Sequence, residues 1–241
     1  MTLKRPAAVF IFFLSAIISL SGFRPGLALK VDTKKVSSGN TYTLFYKDNL
    51  KMDVALKRPD KNDVNIQLCI PGAYTLLTDY TVDGLYIDNG TTHNRNAINY
   101  TLGGGIKIVN GNCEIFPTQK GKLLDANFIA AAEKEKASFF QQIQMVEKGV
   151  GATYKDKKLF QRRAIVKLKG GKTAVIESYQ FITLTAFTKD LIELGAVDAL
   201  YTDMGAWDEG WYRTEDGKTK TIGRLRTQTD KQCNWVVFKI K

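Results

Sequence analysis

From residue 41 onward the chain shows short runs in which apolar and polar positions alternate, broken by turn residues. Residues 41–46 (Thr-Tyr-Thr-Leu-Phe-Tyr), 52–56 and 64–70 carry the two-residue period of a strand, and Pro71-Gly72 ends the last of them. Residues 84–88 form a short strand stopped by Asn89-Gly90. Two apolar runs, 106–109 and 113–116, flank Asn110-Gly111, the strongest hairpin signal in the chain. A second hairpin is predicted where 163–168 and 173–178 flank Lys169-Gly170-Gly171-Lys172. Residues 139–146, 197–201 and 235–240 also read as strands. Two stretches change period. Residues 124–138 are rich in Ala, Glu and Lys behind Asp125 as N-cap, and residues 185–194 place Phe187, Leu191, Ile192 and Leu194 at helical spacing between Thr185 as cap and Gly195 as stop. Many strands and two main helices, without repeats or a linker, predict one α+β domain with a large, mostly antiparallel sheet.

The N-terminus follows a different pattern. Lys4 and Arg5 precede an uncharged run over residues 7–20, too short for the ~20 apolar residues of a membrane helix. Gly26-Leu27-Ala28 offers small residues for peptidase cleavage. The expectation is a signal peptide over residues 1–28, a domain over 29–241, and a secreted or periplasmic protein without an integral membrane segment in its mature form. Three cysteines, Cys69, Cys113 and Cys233, could form one disulfide in an oxidising compartment, by any of three pairings. The first 28 residues hold Lys4, Arg5 and Arg24 and no acid, so the net charge of +11 becomes +8 after cleavage. That surplus favours anionic partners, such as phosphorylated or carboxylated glycans. No nucleic-acid signature accompanies it, so no nucleic-acid partner is expected. The single histidine, His93, lies in a polar loop, which excludes His-rich metal sites and leaves any Ser-His-Asp triad dependent on that residue alone.

Candidate chemistry concentrates after the strand at 197–201. Asp203 stands at its end, followed by Gly205, Trp207, Asp208, Glu209, Trp211, Tyr212 and Arg213. Loops after buried strands hold polar groups rigidly near solvent. Asp203 is the best acid of the group because its flanks are apolar and then glycine, whereas Asp198 suits a turn cap. Paired carboxylates can supply acid and base in glycoside hydrolysis, and Asp203, Asp208 and Glu209 could alternatively hold a divalent cation through oxygen. Trp207, Trp211 and Tyr212 could stack on a sugar or fill the core. Arg162-Arg163 opens a strand, and alternation lets only one of the two enter a site, where it could clamp a phosphate or carboxylate. Gly103-Gly104-Gly105 lacks the Lys-Ser/Thr ending of a phosphate loop and reads as a turn or bulge that permits close backbone approach.

Arg162-Arg163 before a strand, the Gly-Gly hairpin, the helix stopped by Gly195, the strand into Asp203-Met204-Gly205, and Asn234 before the last strand together resemble the second half of the phosphodiester glycosidase family. Upstream, 69–75 and the Gly84 to Gly90 stretch resemble that family's opening, and Gln142 resembles a glutamine of its middle strand. The likeness runs over about residues 64–239. The departures are Pro71 in place of an Asn and Asp-Met-Gly-Ala-Trp in place of Asp-Gly-Gly-Gly-Ser-Ser, as in a branch whose loop continues into Trp-Tyr-Arg. The resemblance implies an exported hydrolase acting on a sugar phosphodiester or related anionic glycoconjugate without an obligatory cofactor. It gives Asp203, Arg162 and Asn234 catalytic roles, and Gly205, Gln142 and Arg163 substrate contacts; Trp207 and Tyr212, as stacking rings, and Arg213, as a second anion clamp, join the substrate contacts on their own chemistry. A non-catalytic binder of anionic glycans, or an envelope-associated protein on the same fold, is the alternative.

Overall fold

A computed structural model describes residues 29–240. The expected signal peptide lies outside them. In chain order the strands are β1 (Lys30–Lys35), β2 (Thr41–Tyr46), β3 (Lys51–Ala55), β4 (Ile66–Pro71), β5 (Tyr86–Asp88), β6 (Thr91–Thr92), β7 (Gly104–Val109), β8 (Asn112–Pro117), β9 (Ser138–Gln142), β10 (Gln144–Glu147), β11 (Val150–Gly151), β12 (Arg163–Leu168), β13 (Thr173–Ser178), β14 (Ala196–Tyr201), β15 (Gly210–Arg213), β16 (Thr219–Ile222) and β17 (Trp235–Lys239). Helix α1 (Ala126–Lys134) precedes β9, and α2 (Leu184–Glu193) precedes β14.

The expected α+β class with antiparallel pairing holds, but the strands divide among three sheets. A large sheet runs β1-β2-β13-β12-β14-β10-β11, a tryptophan sheet β16-β15-β4-β17-β3, and a hairpin sheet β6-β5-β9-β7-β8. The run at 139–146, read as one strand, changes sheets at Ile143: β9 pairs with β7, and β10 with β14. Residues 210–213, read as loop, are strand β15 between β4 and β16. Two-residue periodicity cannot separate these cases, because an interruption of one residue leaves the pattern nearly intact.

Alternation sends one face of each sheet inward. Phe45, Ile165, Val175 and Leu200 of the large sheet meet Leu68, Val236 and Phe238 of the tryptophan sheet and Tyr86, Ile106 and Phe140 of the hairpin sheet in one central core. The opposite face of the large sheet packs Leu44, Val166, Ile176 and Tyr201 against Phe187 and Leu191 of α2. The outer face of the hairpin sheet carries Ile87 and Phe139 against Ile129 of α1.

Turn chemistry matches the hairpins. Asn110 and Gly111 both take positive φ, 51° and 80°, as the tight turn joining β7 to β8 requires. Gly104 begins β7 rather than a turn, and a Cβ there would meet Gln144 Oε1 and Leu200 Cδ1 at 2.6 Å, so the close approach is real. Asp125 caps α1 by accepting from Phe128 N. The cap of α2 is Thr183, not Thr185; it accepts from Ala186 N, while Thr185 is bonded to Tyr154. All three cysteines are free thiols, so none of the three possible pairings is formed. They sit in separate surroundings: Cys69 under Trp211 in the outer tryptophan cluster, Cys113 beside Thr173, and Cys233 beside Thr75. Among the described residues no helix is long and apolar enough to cross a membrane.

Candidate active site

Three chain segments from two sheets converge at the end of β14. The backbone N–H of Asp203 donates to Gly72 O (2.8 Å), tying the large sheet to the turn after β4. Asp203 Oδ2 accepts from Thr75 N (3.1 Å) and from Trp207 Nε1 (2.9 Å). Asn234, just before β17, closes the arrangement: its Oδ1 accepts from Ala73 N (2.7 Å) and its Nδ2 donates to Ala73 O (3.0 Å). A Cβ on Gly72 would come within 2.7 Å of Asn234 Oδ1, so this position needs glycine. Gln232 completes the brace by accepting from Thr75 Oγ1 and donating to Asn234 O.

Asp203 is 3% exposed. Burial pushes its carboxyl up to about 7, against the opposing pull of the Thr75 and Trp207 hydrogen bonds. A carboxyl that titrates near neutrality, held rigidly by fixed donors, suits proton transfer.

Strand parity separates the two arginines. Arg162 falls on the α2 side of the large sheet, with Ala164 and Val166; Arg163 falls on the inner side, with Ile165. Arg162 Nε donates to Ile182 O (3.0 Å), Nη2 to Lys158 O (2.7 Å) and Nη1 to the Tyr201 hydroxyl (3.1 Å). Its guanidinium lies over the Phe160 ring at 5.2 Å. Of the five N–H donors of a guanidinium, two are left without a partner, and no carboxylate pairs with Arg162 among the described residues. Tyr201 and Tyr74 meet edge to face at 6.1 Å. Burial raises both phenols; nearby Asp203 raises them further, and nearby Arg162 works the other way. The two tyrosines thus lie within electrostatic reach of both charges. Gln142 stands at the β9–β10 crossing, next to Ile143, whose carbonyl accepts from Tyr201 N. Its Oε1 accepts from Ile143 N, and its buried Nε2 has no hydrogen-bond partner among the described residues. Gly205 has φ of 125° with open space beside it, so its conformation, not crowding, selects glycine.

This arrangement invites comparison with solved structures. The chain is distantly similar in fold to a glycosidase domain. The catalytic domain of zebrafish N-acetylglucosamine-1-phosphodiester alpha-N-acetylglucosaminidase, solved auto-inhibited by its pro-peptide, superposes with a TM-score of 0.58 at 11% identity, over 88% of this chain and 82% of that one. A protein of Synechocystis described as hypothetical superposes with a TM-score of 0.57, also at 11% identity, over 88% of this chain and 62% of that one. At such identities the likeness is one of fold. No protein-family model matches the sequence, and no curated protein matches it.

The remaining expected site residues lie elsewhere. Arg163 is fully buried, donates from Nε to Glu177 Oε2 (2.7 Å) and from Nη2 to Asp208 O (3.0 Å), and is ion-paired with Glu177. Asp208 Oδ2 accepts from Arg224 N and Leu225 N. Glu209 pairs with Arg58 and Lys61; burial works against its charge, but those partners hold its carboxyl below the usual range. The three carboxylates therefore serve three separate sets of partners. Among the described residues no three His, Cys, Asp or Glu side chains are grouped to hold a metal ion. Arg213 donates to the carbonyls of Lys61, Asp63, Ile66 and Gly217, fastening a turn. Tyr212 packs on Phe45 at 5.2 Å, and Trp211 is buried with Cys69 and Trp235. Of the loop aromatics only Trp207 reaches Asp203, through its indole N–H. Asp198 accepts from Lys148 N and so serves the β10–β11 turn, as a turn cap would. Tyr74, Thr75, Tyr201 and Gln232 were given no role from the sequence; the signal for the first three was their place in the stretches 69–75 and 197–203 that carry the family resemblance, and Gln232 had none.

Proposed function

We propose that the chain is an exported hydrolase that releases a sugar from a phosphodiester or related anionic glycoconjugate at Asp203. The observation that carries this reading is a pair of buried groups that both act electrostatically on Tyr74 and Tyr201: a carboxyl, Asp203, titrating near neutrality, and a guanidinium, Arg162, with two unused N–H donors and no carboxylate partner among the described residues. Such a guanidinium suits an anionic group brought by the substrate. Asp203, protonated, gives its proton to the leaving oxygen as the sugar C–O bond breaks. Water supplies hydroxide to the sugar carbon and returns the proton to Asp203. Gln142 Nε2 offers a donor to a sugar hydroxyl. Asn234 acts as a positioning residue, because both its amide atoms are engaged with Ala73. The distant fold likeness to a phosphodiester glycosidase domain supports the same reaction class.

The test is release of free sugar from a panel of sugar-1-phosphodiesters and nucleotide sugars, with Asp203→Asn as the control. The reading expects turnover by the wild type and a loss of at least a hundredfold in the variant, in the range that positioned acid–base catalysis contributes (about 10²–10⁴-fold). Retention of turnover by a folded Asp203→Asn protein would remove Asp203 from the mechanism. The tight enclosure of the site, with Asp203 at 3% and Trp207 at 7% exposure, favours a second reading as a non-catalytic binder of anionic glycans. That reading expects no turnover of any panel member and only a modest change of affinity in the variant.

A further inference from the structure

Two concave surfaces lie away from Asp203, and both are lined by lysines. The larger, a cleft of about 480 Å³, is formed by the β2–β3 turn, the β12–β13 hairpin and the start of β8; its cations are Lys47, Lys167 and Lys172, and its one carboxylate is Asp48. The smaller, about 230 Å³, is lined by Lys51, Lys136 and Lys239, with Asp53 as its carboxylate. The β7–β8 hairpin stands between them: Asn110 and Gly111 border the smaller cleft, and Asn112 and Cys113 the larger. The two surfaces thus make one basic face at the far end of the large sheet. Four residues of β12 separate Arg163, near the Asp203 end, from Lys167 at the cleft, roughly 13 Å of extended chain.

The charges of this face are mostly uncompensated. Lys239 is paired with Asp53, and Lys47 Nζ donates to Leu50 O. Lys51, Lys136, Lys167 and Lys172 have no carboxylate partner among the described residues. Lys172 instead lies over the Tyr46 ring at 5.9 Å. Like charges gathered in a concavity focus their field outward and attract anions. The neutral groups between them discriminate among anions. Asn49 and Asn112 line the larger cleft, Asn89 and Asn110 the smaller, and these amides suit hydroxyl groups. None of the exposed large apolar residues among those described borders either cleft, so the face offers neither a base-stacking platform nor an inserting wedge for lipid.

We propose that this face binds an anionic glycan, a sugar chain bearing carboxylate or phosphate groups, laid across the Asn110-Gly111 hairpin with one anionic group in each cleft. The site is separate from Asp203 and does not depend on the hydrolase reading. The probes are an oligogalacturonate and a phosphorylated dextran, titrated calorimetrically into residues 29–241, with neutral dextran, duplex DNA and phosphatidylglycerol vesicles in parallel. The expected result is salt-sensitive binding of at least one anionic glycan, none of neutral dextran, and weaker binding of DNA and vesicles. A Lys136→Gln/Lys167→Gln/Lys172→Gln variant should lose at least tenfold in affinity with a thermal midpoint close to that of the wild type, since Lys136 and Lys172 are exposed and the half-buried Lys167 keeps its stem in the glutamine variant. Asp203→Asn should bind as the wild type does, which separates failure of this proposal from failure of the catalytic one. Wild-type affinity in the triple variant, equal binding of neutral dextran, no binding of either anionic glycan, or tighter binding of DNA or vesicles would overturn it.

Discussion

Asp203 carries a stability signature as well as a chemical one. Its folded value of about 7 stands above the ordinary 3.8. A raised carboxyl favours the folded state most when protonated. Its contribution is therefore fully present below about 3.8, is lost as pH rises towards 7, and is constant above. The shift of about three units corresponds to a few kcal/mol at most, at about 1.4 kcal/mol per unit. Urea unfolding at pH 4 and pH 8 should show the wild type losing more stability than Asp203→Asn across that interval, and parallel losses would contradict the assigned environment. The same proton governs rate: with Asp203 as acid, turnover should fall as pH rises through about 7. Trp207 tunes that limb, because its indole N–H stabilises the carboxylate. Trp207→Phe should move the alkaline decline to higher pH, measured as kcat/KM against pH.

At the scale of elements, the site depends on a brace between two sheets. Asn234 satisfies both backbone groups of Ala73 and so fixes the turn after β4 that presents Gly72 and Thr75 to Asp203. Asn234→Ala would leave a buried N–H and a buried C=O without partners. The expected cost is about 2–4 kcal/mol, read from denaturant midpoints, together with reduced turnover. The sequence marked Asp203 by its apolar and then glycine flanks, and Asn234 only through its match to the closing Asn of the resembled family. It did not show that Asn234 serves the backbone, since its partner Ala73 lies 161 positions away. The two Asn/Gly-Gly hairpins and both helices were legible because turn chemistry and caps are local. The separation into three sheets was not, because pairing such as β4 with β17 is decided across the whole chain. Arg162 and Arg163 were distinguishable by parity only once Ile165 was known to face the centre. Pro71-Gly72 read as a strand stop, and β4 does end there, with Pro71 as its last residue opposite Trp235.

The whole molecule is organised about the core where the three sheets meet, and no sheet has an apolar inner face of its own to keep. Unfolding should therefore be a single transition. Tryptophan emission, which reports Trp207, Trp211 and Trp235, should lose its native signal at the same urea concentration as the far-ultraviolet signal of the sheets. Separate midpoints would show one sheet to be independent. Among the described residues, the same architecture leaves β1 at the rim of the large sheet, paired on one side only with β2 and exposed at five of its six positions. Its sequence is Lys-Val-Asp-Thr-Lys-Lys. An open rim of backbone donors and acceptors is a template on which further copies could add themselves strand by strand, and closely spaced ammonium groups make each such addition repulsive. The lysines of β1 thus act as a guard against fibre growth, the more so in concentrated solution, where encounters between unprotected rims would be frequent.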